Sequence, residues 1–339
     1  MRAMVQQAPR QPLLPSELAR PVPGRGQLLI EVEACAVCRT DLHIVDDELP
    51  AVPRPVIPGH QVVGRIAALP DGGTALTTHR IGERVGVAWL GFTCGACRYC
   101  RSHRENLCDN ALFTGYTLPG GYAEYLTADA RFCYPLSEAA VPERLAPLLC
   151  AGLIGYRALR MCGDAERIGL YGFGAAAHIL AQVLRFQGRD FYAFTRPGDR
   201  AAAASAEALG ARWTGGSDQR PPVPLDAALL FAPVGALVPA ALAATAKGGI
   251  VVCAGIHMSD IPEFPYSLLW EERQVRSVAN LTRADGIEFL ALAERIPIET
   301  KITVYPLAEA NRALADLKAG AFTGSAVLKM EKSGRAAVG

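Results

Sequence analysis

The sequence lacks a surplus of either charge, an apolar leader, an internal repeat and an unbroken membrane span, and each absence excludes a class of function. Its 34 Lys and Arg stand against 33 Asp and Glu, a formal net charge of +1, so no excess of cations is available for a nucleic-acid footprint. The opening residues Met1-Arg2-Ala3-Met4-Val5-Gln6-Gln7 turn polar before a signal-peptide core could form; export is not expected, and the cytoplasm is the expected setting. There is no low-complexity segment beyond alanine enrichment. From Ala227 to Ala246 the chain runs 20 residues without a charge, long enough to cross a bilayer. Pro233, Gly235 and Pro239 break that run, which reads better as a buried strand at Leu229–Phe231, a tight loop and a helix from about Leu237. What remains is an ordinary globular composition, 50% hydrophobic over 339 residues, with length enough for two domains.

The texture of the chain changes once. Residues 1–147 are rich in Pro, Gly and short apolar runs such as Gln27–Val32 and Val62–Ile66, the pattern of an irregular, mostly antiparallel β domain. Residues 148–284 alternate strand-like runs (Arg167–Tyr171, Asp190–Phe194, Ala227–Phe231, Ile250–Ala254) with Ala-rich helical stretches, the pattern of βαβ units on a doubly wound parallel sheet. Residues 285–339 read as a helix at Asp285–Ala293, a strand, a helix at Leu307–Lys318 and a strand near Ala326–Leu328. That segment is too small for a domain and is expected to return to the first lobe.

Ten cysteines in a chain expected to stay in a reducing compartment point to metal or catalysis rather than disulfides. Cys94, Cys97, Cys100 and Cys108 follow Cys-x2-Cys-x2-Cys-x7-Cys, which suits a closed tetrahedral zinc. Arg98 and Arg101 between them would offset thiolate charge. An iron–sulfur cluster is the rival, since the first three spacings match a ferredoxin run, but the fourth cysteine is displaced and Asp109 stands where proline would follow.

Gly172-Phe173-Gly174-Ala175-Ala176-Ala177 lies between a predicted strand and a predicted helix and fits the dinucleotide pattern Gly-x-Gly-x-x-Gly/Ala. Gly172 allows the turn, Gly174 lets backbone approach a pyrophosphate, and the helix N-terminus favours its charge. The second strand ends Phe194-Thr195-Arg196-Pro197 in place of the acid that binds the 2′-hydroxyl of NAD. Thr195 and Arg196 could hold a 2′-phosphate, which leans the reading to NADP, although Asp199 is near and an arginine can also stack on adenine.

Cys38-Arg39-Thr40-Asp41-Leu42-His43, Pro58-Gly59-His60, the lobe from Cys94 to Cys108, Gly120-Gly121-Tyr122-Ala123-Glu124-Tyr125, Cys150-Ala151-Gly152 and the glycine turn together resemble the zinc-dependent, medium-chain alcohol dehydrogenase family, over nearly the whole chain. The resemblance implies a GroES-like catalytic domain interrupted by a Rossmann domain, two zinc ions per chain, a nicotinamide cofactor, small alcohol or aldehyde substrates, and a homodimer or homotetramer. It implies that Cys38, His60 and Cys150 hold a catalytic zinc. Three ligands leave a fourth position where the ion acidifies an alcohol or polarises an aldehyde carbonyl. On the same basis Thr40 contacts the substrate oxygen, His43 ends a proton relay, and Asp41 orients His60. Arg39 pairs with the pyrophosphate, Ile256 borders the nicotinamide and Arg283 closes over the cofactor. Trp89, ending the strand Arg84–Ala88, narrows the substrate channel towards primary alcohols. His103 and His178 read as structural or surface residues. Two departures stand out: Gln61 where many relatives carry glutamate, and Ile154 where several carry threonine; both bear on turnover and substrate range.

The expected activity is interconversion of primary alcohols and aldehydes. Its alternatives are an aryl, cinnamyl-type aldehyde reductase using NADPH, and a non-catalytic zinc protein that senses cofactor.

Overall fold

A computed structural model of the chain describes residues 1–50, 52–69 and 77–331, which divide into two units. One comprises the described residues of Met1–Cys150 and Lys301–Gly339, the other Ala151–Thr300.

The first unit is built on a seven-stranded sheet. Its order is Ile302–Pro306, Ser325–Lys329, Gln27–Val37, Val62–Ala68, Arg84–Val87 and Cys133–Pro135, with Tyr125–Asp129 also pairing to Gln27–Val37. All ladders but the one joining Ile302–Pro306 to Ser325–Lys329 are antiparallel. The long strand Gln27–Val37 is buried at Leu28, Ile30, Val32, Cys35 and Val37, which meet Val62, Ile66, Val85, Val87, Leu126 and Leu328 in one apolar core. The returning strand pairs Ala326 with Val37 and Leu328 with Cys35, so the C-terminal segment closes the sheet that carries the start of the Cys38 segment.

The second unit is a six-stranded, wholly parallel sheet in the order Trp213–Gly216, Asp190–Thr195, Arg167–Tyr171, Leu225–Leu230, Thr245–Cys253, Gln274–Ser277. The first strand in the chain stands inside, with the next two on one side and the last three on the other, the doubly wound arrangement. Its central strands are nearly continuous runs of buried residues, as a sheet covered on both faces requires. The uncharged run resolves into the end of the strand Leu225–Leu230, a loop, and a helix at Leu237–Ala244. No helix among the described residues is long and apolar enough to cross a membrane.

Both boundaries differ from the sequence reading. The helix expected to open the return segment, Arg283–Arg295, belongs to the second unit, and the return begins at Lys301 rather than 285. The helix is held to that unit by apolar and ionic contacts together: Phe289 is buried and packs on Tyr156 at 5.6 Å between ring centroids. Asp285, 1% exposed, takes Arg157 Nη1 at 2.6 Å and Arg160 Nη1 at 2.9 Å, both from the helix Ala151–Arg160. Such a pairing leaves no trace in hydrophobic periodicity. At the other end Cys150 stays with the first unit, three residues beyond the expected limit.

Candidate active site

The four-cysteine lobe is made by local chain alone. After the strand Leu90–Phe92 the backbone turns through Cys94, and Cys97 caps the short helix Arg98–Arg101, its sulfur accepting from Cys100 N–H at 3.5 Å. The Cys94–Cys108 and Cys97–Cys100 sulfurs lie 3.6 Å apart, Cys94–Cys100 3.9 Å, and all four lie within 4.8 Å of one another. A single tetrahedral ion with bonds of about 2.3 Å sets thiolates about 3.8 Å apart, so the lobe fits one zinc. Backbone N–H groups of Ala96 and Cys97, at 3.5 and 3.4 Å from the Cys94 sulfur, pull that thiol down to about 6, whereas burial and Cys97 push Cys100 up to about 11. The Arg98 guanidinium lies over the Tyr99 ring and donates to the Tyr99 hydroxyl at 2.6 Å. Arg131, paired with Asp129 at 2.6 Å, also holds the lobe through the Thr93 carbonyl at 3.1 Å.

The second cluster gathers Cys38, His60 and Cys150, whose ligand atoms also lie within 4.8 Å of one another. Cys38 ends the strand Gln27–Val37 and caps the helix Arg39–Val45, its sulfur accepting from Thr40 N–H at 3.4 Å. Asp41 closes a capping box by accepting from Cys38 N–H at 2.8 Å. The other carboxylate oxygen lies 3.2 Å from His60 Nδ1 and accepts from Gly59 N–H at 3.2 Å. With Nδ1 so engaged, Nε2 faces the sulfur of Cys38 at 3.3 Å. Gly59 has a left-handed φ of 98°, and a Cβ there would come within 2.4 Å of the Tyr122 ring. The turn that presents His60 therefore requires glycine. Cys150 follows a short helical turn, Ala146–Leu149, and opens the helix Ala151–Arg160.

The electrostatics of this cluster call for a cation. The neighbouring Cys150 thiol, then burial, hold Cys38 well above the ordinary thiol range. Burial works against a charged His60, but Asp41 and Cys38 outweigh it and lift the imidazole to about 10. Two thiolates and a neutral imidazole coexist here only around a positive ion, which must displace protons to bind. The donor set and its carboxylate support fit zinc.

Thr40 and His43 stand three residues apart, hence on one face of the helix Arg39–Val45. His43 Nδ1 lies 2.5 Å from a carboxylate oxygen of Glu48, which is 48% exposed. Arg39 is exposed at the start of that helix. Trp89 lies just after the strand Arg84–Val87 and meets His60 edge-on at 5.1 Å between ring centroids. Phe113 and Tyr116 stack on it at 5.2 and 5.7 Å, and the Tyr116 hydroxyl donates to the Pro50 carbonyl. The sequence reading missed these two rings and Glu48; the aromatic pair three residues apart was the available signal. Gln61 is buried beside His60 with its Nε2 unpartnered among the described residues, and Ile154 is half-buried in the helix Ala151–Arg160.

In the second unit the glycine turn has the form its spacing predicts. Gly172 has φ 89°, and a Cβ there would meet the Ala232 backbone nitrogen at 2.9 Å. Gly174 caps the helix Ala175–Phe186 with open space at its Cα, and Ala177 is buried under it. Thr195 ends its strand beside the neighbouring one. It is buried, and its hydroxyl lies 3.3 Å from the Arg196 carbonyl and 3.4 Å from that of Gly215, directing its proton inward. Arg196 is exposed beyond it. Asp199 Oδ1 accepts from Ala202 N–H at 3.0 Å, capping the helix Arg200–Ala208. Ile256 is 52% exposed after the strand Thr245–Cys253, and Arg283 is exposed as the first residue of its helix.

Comparison with known proteins agrees with this geometry. Residues 24–138 match the alcohol dehydrogenase GroES-like domain. A probable alcohol dehydrogenase of Mycobacterium tuberculosis is 49% identical over 91% of this chain and 90% of its own length. An alcohol dehydrogenase of Geobacillus stearothermophilus is 31% identical over 98% of this chain and all of its own. The solved structure of a cobalt- and zinc-bound thermostable alcohol dehydrogenase from Pyrobaculum aerophilum superimposes with a TM-score of 0.87 at 25% identity, covering 97% of this chain and 99% of that one. With the two cysteine-bearing clusters, the GroES-like lobe and the doubly wound sheet all in place, the chain belongs to the zinc-type, medium-chain alcohol dehydrogenase family.

Proposed function

We propose that this protein is a zinc-dependent alcohol dehydrogenase that interconverts primary alcohols and aldehydes with NADP(H) in preference to NAD(H), holds two zinc ions per chain, and works in the cytoplasm as a homodimer or homotetramer. The observation that carries the reading is the Cys38, His60, Cys150 cluster with Asp41 behind it: three ligands, a second carboxylate tier and one coordination position left for substrate. When bound, zinc supplies a Lewis acid for the substrate oxygen and the nicotinamide exchanges the hydride.

The chain's own residues supply the rest. Asp41 fixes the His60 ring; Thr40 holds the substrate proton; His43, oriented by Glu48, passes it towards solvent. The stacked rings of Trp89, Phe113 and Tyr116 form a flat apolar wall beside His60 that favours unbranched or planar substrates, which supports the aryl aldehyde reductase as the second reading. Gly172, Gly174 and Ala177 receive the pyrophosphate, with Arg39 and Arg283 as its cations and Ile256 against the nicotinamide. Sulfur separations of 3.6 to 3.9 Å in the four-cysteine lobe support one zinc there, since a multi-iron core standing between its thiolates needs them farther apart.

Support for NADP(H) rests on Arg196 more than on Thr195. The arginine is exposed at the strand end, while the nearby Asp199 carboxylate is committed to a helix cap. The test is benzaldehyde reduction with NADPH and NADH in parallel, on protein shown to carry two zincs. A specificity for NADPH about tenfold or more above NADH, roughly 1.4 kcal/mol, is expected. Faster turnover with NADH overturns the cofactor preference, and no turnover with either, extended to short aliphatic aldehydes, favours the cofactor sensor.

A further inference from the structure

The rings beside His60 are carried by a turn with little freedom. Trp89 lies 5.2 Å from Phe113 and 5.7 Å from Tyr116 between centroids, and those two lie 6.3 Å from each other. Near-parallel rings on opposite faces of Trp89 would stand at least about 7 Å apart at ordinary carbon contact distances, so Phe113 and Tyr116 cover the same face and hold the indole from one side. The turn that bears them is fixed twice. Thr114 N–H donates to the Trp89 carbonyl at 2.9 Å, and Gly115 lies so close to the His60 turn that a Cβ there would come within 2.7 Å of the Gly59 nitrogen. The backbone therefore cannot carry Tyr116 away from Trp89; only rotation of its own side chain can. The Tyr116 hydroxyl closes that route by donating to the Pro50 carbonyl, in the loop whose Leu49 and Val52 pack with Ile44, Val56 and Trp89.

We propose that Tyr116 is a positioning residue for substrate choice: latched to Pro50, it holds Trp89 edge-on to His60 and keeps the space beside that ligand narrow, against aldehydes branched next to the carbonyl. The inference rests on the proposed dehydrogenase reading and deepens it, since the wall alone does not need the latch. Phenylalanine at 116 would keep the ring and its stacking on Trp89 but leave the ring free to turn aside when a branched chain presses on the indole.

The test is Tyr116→Phe in the zinc-loaded full chain, comparing kcat/KM for isobutyraldehyde with that for butyraldehyde under saturating reduced nicotinamide cofactor. The branched-to-unbranched ratio is expected to rise about fivefold, within the range that a methyl group decides in an apolar pocket, while the butyraldehyde rate and the zinc content stay near those of the parent. Tyr116→Leu, which also removes the stack, should raise the ratio further. A merely loosened fold lowers both rates together and leaves the ratio unmoved. Isobutyramide and butyramide, whose carbonyl oxygens resemble those of the aldehydes, read the same selection as binding, by calorimetry with cofactor present and without turnover. An unchanged ratio in Tyr116→Phe, by rates or, where the parent is inactive, by amide binding, overturns the proposal. If the parent reduces no aldehyde but its amide selectivity shifts as expected, the proposed enzymatic function fails while this inference stands; a parent that reduces neither aldehyde and binds neither amide overturns both.

Discussion

Two helices of this protein begin with the same device and use it for different ends. Cys38-Arg39-Thr40-Asp41 and Thr282-Arg283-Ala284-Asp285 both form capping boxes, each with a buried aspartate three residues after the cap returning a hydrogen bond to the cap's backbone N–H, at 2.8 Å in both. What differs is what faces the carboxylate. Asp41 meets the backbone N–H of Gly59 and the imidazole of His60, and so supports a candidate metal ligand. Asp285 meets two guanidinium groups, and so ties two helices of the second unit together. Local sequence sets the cap, but tertiary neighbours decide whether the carboxylate serves chemistry or stability.

That contrast can be broken at its strongest point first. Cys38→Ser keeps a cap-competent side chain but weakens the ion it would hold; activity should fall by at least about a thousandfold with one zinc retained per chain, as read by metal analysis and initial rates. Asp41→Asn should lower zinc affinity or turnover about 10- to 100-fold, with a small change in melting temperature. Asp285→Asn should do the reverse, costing about 1–3 kcal/mol in urea unfolding while the rate per folded molecule stays near that of the parent.

The Asp285 loss should depend on pH in a defined direction. Burial alone would raise this carboxyl, but the hydrogen bonds of Thr282 and the charge of Arg157 outweigh it and hold it below its ordinary value. Its stabilisation is therefore complete above the unfolded carboxyl pKa of about 3.9 and is lost as pH falls towards the lower folded value. The gap between parent and Asp285→Asn should be constant from pH 7 to 5 and close below about pH 4. The smallest effect belongs to Thr282→Ala, about 1 kcal/mol from loss of the cap hydroxyl, and an equal loss in the Asp285→Asn background would show that the box does not act as a unit.

The sequence was most legible where function is local. The four-cysteine spacing and the strand, glycine turn and helix from Arg167 to Phe186 need only short-range geometry, and both take the form their spacing predicts. The Cys38, His60, Cys150 set was legible only through family resemblance, since nothing in the spacing of three residues between positions 38 and 150 requires them to meet. Arg131 was not legible, because it reaches the Thr93 carbonyl across 38 residues of chain; Glu48, five residues from His43, and the Phe113–Tyr116 pair were within reach of local reading, but their contacts depend on loop geometry that spacing alone does not set. At a strand end a threonine such as Thr195 can turn its hydroxyl outward to a ligand or inward to the neighbouring strand's carbonyl, as it does here, and sequence does not distinguish the two.

The turn at Gly59 has a consequence for anyone altering this protein. With a left-handed backbone and an aromatic ring already in the place of its Cβ, position 59 is an alphabet of one letter. A saturation library there is expected to return glycine alone. The neighbouring Trp89 is bound less tightly by its backbone but no less by its surroundings, since it is buried against His60 with Phe113 and Tyr116 stacked on it, so a change on either side of the ligand is felt at the pivot on which His60 hangs.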